Sequence, residues 1–337
     1  MPWSEKKGMQ SEKSLGEWFT PSLPAVDNYV DRGILDKKIF REFAQKGRQV
    51  LVYGPTGAGK TSMVLDNLGR LQEQYQTKYV RVTMTNETTT ESFIADVANQ
   101  LNLERDVQVI KTDENGQSIK GGLKILKWFD ISAGVQDKVS KQTITEHYTG
   151  TDDFSVLENV LFTTNTVLIV DDMENLTDAA RPLRIRLAEI AKNMSDDAIN
   201  YPNSYAKIIF VGIAETAEQL WHDVQSLKSR LATIKVPYLN HDESNAILEN
   251  GWRKSSLSSS EEQVKRATYI SSGIGKVVHE IGQKTGHAAI DDETLQIKDE
   301  HIDTAIHDIL DVNELDYEEI LESAKTVSYT HLRAHET

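Results

Sequence analysis

Gly54-Pro-Thr-Gly-Ala-Gly-Lys60-Thr61 fits the pattern G-x-x-x-x-G-K-[ST] at every fixed position, and it constrains the fold more tightly than any other stretch. Before it, the apolar run Gln49-Val-Leu-Val-Tyr53 reads as a buried strand. After it, residues 61–74 read as a helix. A strand, a Gly-rich turn and a helix in that order make an anion cradle. Glycines at 54, 57 and 59 let successive backbone N–H groups turn inward onto a phosphate, and the positive end of the following helix adds to the field. The expected contacts run from Gly54 through Pro55, Thr56, Gly57, Ala58, Gly59, Lys60 and Thr61 to Ser62. Lys60 reaches toward the outer phosphates of a nucleotide such as ATP, and the Thr61 hydroxyl is placed to ligate Mg²⁺.

The surrounding pattern is that of an α/β chain. Residues 78–84 alternate like a strand, and Phe93, Ile94, Val97 and Leu101 share one face of a helix over 90–101. Asp36 is expected to cap a helix over 37–46, and Thr151 one containing Phe154, Leu157, Val160 and Leu161. Residues 166–170 are the strongest buried-strand signal. A helix over 179–194 and a second apolar strand over 207–213 follow, with a further helix and a strand over 233–236 after them. Short apolar strands alternating with helices predict a parallel sheet covered on both faces. After Pro237 the strands stop. Helices are expected over 241–249, 261–271, 276–285 and 299–310, a small all-helical domain.

This divides the chain into a flexible start (1–24), an α/β domain (25–238), a helical domain (239–312) and an acidic stretch (313–326) that ends or begins a further element. Within the α/β domain, residues 105–147 break the rhythm. Turn signals at Asn115-Gly116 and Gly121-Gly122 suggest an inserted β-hairpin, either a neutral elaboration or a partner surface. The last eleven residues, 327–337, match one reading frame of a sequencing-library transposon adaptor at every position. They are expected to be non-native read-through, with the natural C-terminus lying beyond Thr326.

Charge and composition narrow the partners. With 37 Lys plus Arg against 52 Asp plus Glu, the net charge is −15, which opposes general attraction to nucleic acid or anionic lipid. No cysteine means no disulfide framework and no thiol nucleophile. No apolar run approaches the ~18 residues of a membrane span. The charged start, lacking an apolar stretch, is no secretory signal. A cytoplasmic protein with no membrane contact is the expectation.

Asp171 ends the most apolar strand. A carboxylate at that edge of a parallel sheet is placed to hold Mg²⁺, and Asp172 and Glu174 are candidates to orient or deprotonate an attacking water. The same acidic run also reads as a plain loop.

With this loop, the acid-ended strand, a further apolar strand and a helical second domain, residues 24–309 resemble an AAA+ P-loop ATPase. The chain is most similar to the replication-initiator and transposition-helper clade, with STAND-type NTPases as near relatives. The resemblance implies ATP and Mg²⁺ as ligands and an oligomerisation-coupled molecular switch. Ser226-Leu-Lys-Ser-Arg230-Leu resembles the segment whose arginine reaches a nucleotide on a neighbouring subunit, which implies a homo-oligomer with Arg230 acting in trans. A surface ion pair within one chain is the alternative for Arg230. Ser271-Ser-Gly-Ile-Gly-Lys276 resembles the lid segment presenting a basic sensor, where arginine is usual. Lys276 also reads as a solvated lysine at a helix start.

Two departures bear on rate. Asp172 stands where glutamate is usual, one methylene shorter, which predicts slow hydrolysis. Ala214 and Glu215 follow the strand where a polar sensor is expected. A STAND-type signalling or defence NTPase, or a DNA-linked loader whose client or DNA contact lies in a missing C-terminal domain, are the alternative functions.

Overall fold

A computed structural model describes residues 15–101, 105–107, 110–112, 118–120, 124–126 and 153–310. In chain order the elements begin with α1 (Leu15–Trp18), α2 (Ile34–Ala44), β1 (Gln49–Tyr53), α3 (Lys60–Tyr75), β2 (Lys78–Thr83) and α4 (Thr90–Gln100). Short strands β3 (Arg105–Val107), β4 (Ile110–Thr112), β5 (Ser118–Lys120) and β6 (Lys124–Leu126) come next, then α5 (Asp153–Thr163), β7 (Thr166–Asp171), α6 (Arg181–Asp197), β8 (Lys207–Gly212), α7 (Ala214–Asp223) and β9 (Leu231–Lys235). The chain continues through α8 (His241–Lys254), α9 (Glu261–Ser271), α10 (Gly275–Asp291) and α11 (299–310). These elements form two compact units. One is built from residues within 38–53 and 67–235, the other from residues within 1–37, 54–66 and 236–337.

The first unit is a five-stranded sheet in the order β2-β7-β8-β1-β9, with every neighbouring pair parallel. Its sequence explains the order. β7 and β8 are buried at all six positions and β1 at four of five, so these continuous apolar runs occupy the interior of the sheet. β2 alternates, with Val80 and Val82 buried and Lys78, Tyr79 and Thr83 exposed, and it lies at an edge. Val97, Leu161, Leu187 and Met194 of the covering helices join Leu168, Val170, Ile208 and Phe210 in one core. A polar pair closes the other end of the sheet, where the buried Lys207 ε-amine donates to the carbonyls of Glu42 and Gln45 at the end of α2.

The insert forms nested antiparallel pairs, β3 with β6 and β4 with β5, as the turn signals between them suggest. The Thr151 cap, residues 127–147 and residues 311–337 lie outside the described residues.

The second unit is helical. Trp252 and Leu248 of α8, Val264 and Ala267 of α9, Val278 and Ile281 of α10, and Ile302 of α11 share its core. Three expectations change here. The start of the chain is not loose from Leu15 onward: Leu15 and Phe19 are buried among α8 and α10. α2 begins at Ile34, so Asp36 lies inside its first turn, where its carboxylate accepts the Arg32 N–H and the Tyr29 hydroxyl. Finally, α10 contains Gly282 as expected but runs on past Gly286 to Asp291. The missing side chains are replaced by Phe19 and Leu15, whose atoms lie 2.3 and 2.7 Å from where Cβ atoms would stand.

Among the described residues, no helix is long and apolar enough to cross a membrane.

Candidate functional site

The loop between β1 and α3 has the backbone its glycines predict. Gly57 and Gly59 have φ of +77° and +80°, the left-handed region where other side chains are strained. A Cβ at Gly59 would meet nothing within 4 Å, so glycine is needed there for conformation and not for space. Lys60 opens α3 and is only 8% exposed; its ammonium donates to the carbonyls of Gly54 at 3.0 Å and Pro55 at 3.2 Å. The cation is thus held inside the turn. A helix N-terminus, two left-handed glycines and an ammonium held in the turn are the parts from which a phosphate cradle is built. The Ser62 hydroxyl, by contrast, is taken by the Ala25 N–H at 2.9 Å.

The same unit brings the lid segment to the loop. The Gly275 N–H, at the start of α10, donates to the Gly57 carbonyl at 2.8 Å, and Ile274 Cγ2 lies 2.8 Å from where a Gly57 Cβ would stand. Lys276 follows in the first turn of α10, exposed, with its Cβ 3.8 Å from the same point. The lid helix is therefore bonded to the phosphate loop itself.

Sequence reasoning missed Arg32. Its side chain, 4% exposed, pairs with Glu243 at 3.2 Å and donates to the carbonyls of Ala58, Pro237 and Tyr238. One guanidinium thereby ties the phosphate loop, the segment after β9 and α8 together. No local pattern marks it; a lone arginine before a helix is ordinary in sequence.

In the sheet unit, Asp171 is the last residue of β7 and fully buried. Its Oδ1 accepts the Asp172 N–H at 3.0 Å, and its Oδ2 lies 2.8 Å from both Nε and Nη2 of Arg81 on β2. Asp172 then turns left-handed, φ +53°, a conformation that aspartate tolerates better than most residues and that recurs at functional sites. Glu174 lies in the short 3₁₀ turn Met173–Asn175 that follows, which the Asn175 amide fastens to the Met84 carbonyl. The buried Asp171 carboxylate is a hard oxygen donor of the kind that suits Mg²⁺.

Arg230 precedes β9 and pairs with Asp196 at 2.8 Å, also donating to the Ser226 carbonyl. Behind β8, Thr216 is buried beneath Gly212, with its hydroxyl accepting the Ile213 N–H.

A family profile described as an AAA domain matches residues 44–220, just over half of the chain. The structure is similar to the ORC1 protein of Aeropyrum pernix, solved in complex with DNA, at 14% identity and a TM-score of 0.58; the match covers 89% of this chain and 71% of that one. It is also similar to the ORC2 protein of Aeropyrum pernix, solved in ADPNP–ADP complexes, at 13% identity and a TM-score of 0.56, covering 89% of this chain and 73% of that one. A Walker-type ATPase of Pyrococcus abyssi matches at 16% identity and a TM-score of 0.53, covering 88% and 75%. At these identities the likeness is one of fold. No curated protein matches the sequence.

Proposed function

The chain belongs to the AAA+ P-loop ATPases, related to replication initiators, and from that premise we propose that it binds ATP with Mg²⁺ and works as an oligomerisation-coupled molecular switch. The observation that carries this reading is the cradle itself: left-handed Gly57 and Gly59, an inward Lys60, and the α10 N-terminus bonded to Gly57.

In this reading the loop N–H groups and Lys60 would hold the phosphates, and the Thr61 hydroxyl and the Asp171 carboxylate would each serve as a metal ligand. Bound Mg²⁺ would supply charge neutralisation on the phosphate oxygens. Asp172 or Glu174 orients the attacking water. Nucleotide in the cradle would bear directly on Gly57, to which the lid is bonded, so the loop is where binding is converted into movement. Arg230 reaches a neighbouring copy's nucleotide and offsets charge building on the transferred phosphoryl group. Its pair with Asp196, 31% and 49% exposed, costs well under ~1 kcal/mol to break, so the guanidinium is available.

A slow, STAND-type switch is the second reading. Two observations favour it: the short Asp172 carboxylate, and Asp171 already engaged by Arg81. A DNA-linked role, suggested by the ORC1 complex, draws no support from the net charge of −15.

The test is fluorescent-nucleotide binding and phosphate release by the full chain. Lys60→Ala should weaken binding at least about a hundredfold, because a charge-assisted phosphate contact is removed from an enclosed site. Arg230→Ala should leave binding intact and abolish the rise of specific activity with protein concentration. Undiminished binding in Lys60→Ala would sink the functional assignment; concentration-independent turnover in the parent chain would sink the trans arrangement alone.

A further inference from the structure

Arg81 stands at the acidic strand end and has no role of its own in the proposed chemistry. It lies on edge strand β2, paired in register with Ile169, while Thr83 pairs with Asp171. Its side chain therefore reaches one dyad along β7, toward the C-terminal ends of the strands. The reach is built and not incidental. Gln100 of α4 donates to the Arg81 carbonyl at 2.7 Å and accepts the Arg81 N–H at 3.0 Å, fixing the backbone of a position that would otherwise sit open at the sheet edge. At the other end, Nε and Nη2 both lie 2.8 Å from Asp171 Oδ2, on a carboxylate that is fully buried.

We propose that Arg81 is a positioning residue that acts through Asp171: a resident cation that sets how much Mg²⁺ the site requires. The inference rests on the reading of Asp171 as the metal carboxylate. Asp171 has one oxygen committed to the Asp172 N–H and the other to the guanidinium. A divalent cation, or a water in its shell, that takes Oδ2 displaces Arg81 or shares the oxygen with it, and one that takes Oδ1 stands beside the guanidinium charge. The guanidinium cannot lower the conflict by losing its proton, because its charge is permanent in proteins. It is 32% exposed, so it has a solvated position to move to. A single and a double positive charge about 5 Å apart in a wet site repel enough to raise the Mg²⁺ midpoint on the order of tenfold. The device keeps Asp171 paired and aimed before metal arrives, and it sets metal engagement against the charge of Arg81.

The experiment titrates Mg²⁺ in metal-buffered solution against the full chain holding a fluorescent ADP analogue, and reads the Mg²⁺ concentration that gives half of the affinity gain. Arg81→Gln and Arg81→Met should lower this midpoint about tenfold, with affinity in EDTA unchanged. Arg81→Lys, which keeps the charge, should stay near the parent value. A second measurement needs no nucleotide turnover and tolerates a destabilised variant: Mg²⁺ should raise the melting temperature of the Gln variant more than that of the parent, because an unpaired buried carboxylate is relieved by metal. An unchanged or higher midpoint in both neutral variants, with nucleotide binding intact, overturns this inference alone. A parent chain that binds no nucleotide overturns the functional reading and this inference with it.

Discussion

Phe19 and Gly282 make a pair whose energetics change sign. The Phe19 ring is fully buried, 6.4 Å from the Trp252 ring and edge-on to His279 at 6.0 Å. It fills the space over Gly282 in the middle of α10, where an added Cβ would lie 2.3 Å from a ring carbon. Truncating a buried phenylalanine costs about 3–5 kcal/mol. A glycine-to-alanine change inside a helix ordinarily gains about 1 kcal/mol, but overpacking costs about 1–3 kcal/mol. Gly282→Ala should therefore destabilise the parent chain by up to about 2 kcal/mol on the same figures. In the Phe19→Ala background the ring is gone, and the same substitution should stabilise by up to about 1 kcal/mol. The coupling energy is then about 1–3 kcal/mol, within the range for neighbours in contact. Urea denaturation of the four proteins measures it, followed through Trp252, whose indole N–H is bonded to the Gly282 carbonyl at 2.8 Å. Additivity within about 0.5 kcal/mol would refute the claim that the ring fills the space over Gly282.

His279 links the same segment to pH. Burial lowers its pKa from 6.5 to about 4, and its Nδ1 accepts the Thr20 N–H at 3.1 Å. The unfolded chain then binds the extra proton between those values, so the contribution is fully present above about pH 6.5 and lost as pH falls toward 4; the 2.5-unit span corresponds to about 3 kcal/mol. Glu158, raised by burial and by its bond to Asp197, works in the opposite sense in the sheet unit. The proper readout is therefore amide exchange at Thr20, whose acid lability should flatten in His279→Gln; an unchanged pH profile would contradict it. Asp172→Glu should speed phosphate release about tenfold or more by bringing the carboxylate nearer the water, at about 1 kcal/mol of backbone strain from a longer side chain at φ +53°. Turnover unaltered with nucleotide binding intact would remove Asp172 from water activation.

How far the sequence could be read follows from the range of the interactions. β1, β7 and β8 are legible because burial on both faces selects a short, continuous apolar run, and the phosphate loop because its conformation demands glycine at fixed offsets. Those are local constraints. Phe19, Arg32 and Arg81 are not legible, because each is defined by what lies far away in the chain. Phe19 reads as one aromatic in a polar start until α8 and α10 close over it. Arg32 acquires meaning only from Ala58, Pro237, Tyr238 and Glu243. Arg81 sits on the alternating face of an edge strand, where a charged residue is the default, and only the parallel register of β2 on β7 brings it to Asp171. Glycine misleads for the same reason. Gly286 looks like a helix stop, and Gly282 a weak point, because a glycine in a helix weakens it. They are tolerated inside α10 because aromatic and aliphatic groups from the start of the chain occupy the room they leave. The acidic residues Asp171 and Asp172 fall between the two cases. Their position at a strand end is local and was readable, but whether Asp171 is at liberty to take a metal depends on its non-local partner. That is why the Arg81 substitutions, and not further reading of the loop, decide how readily Asp171 takes a metal.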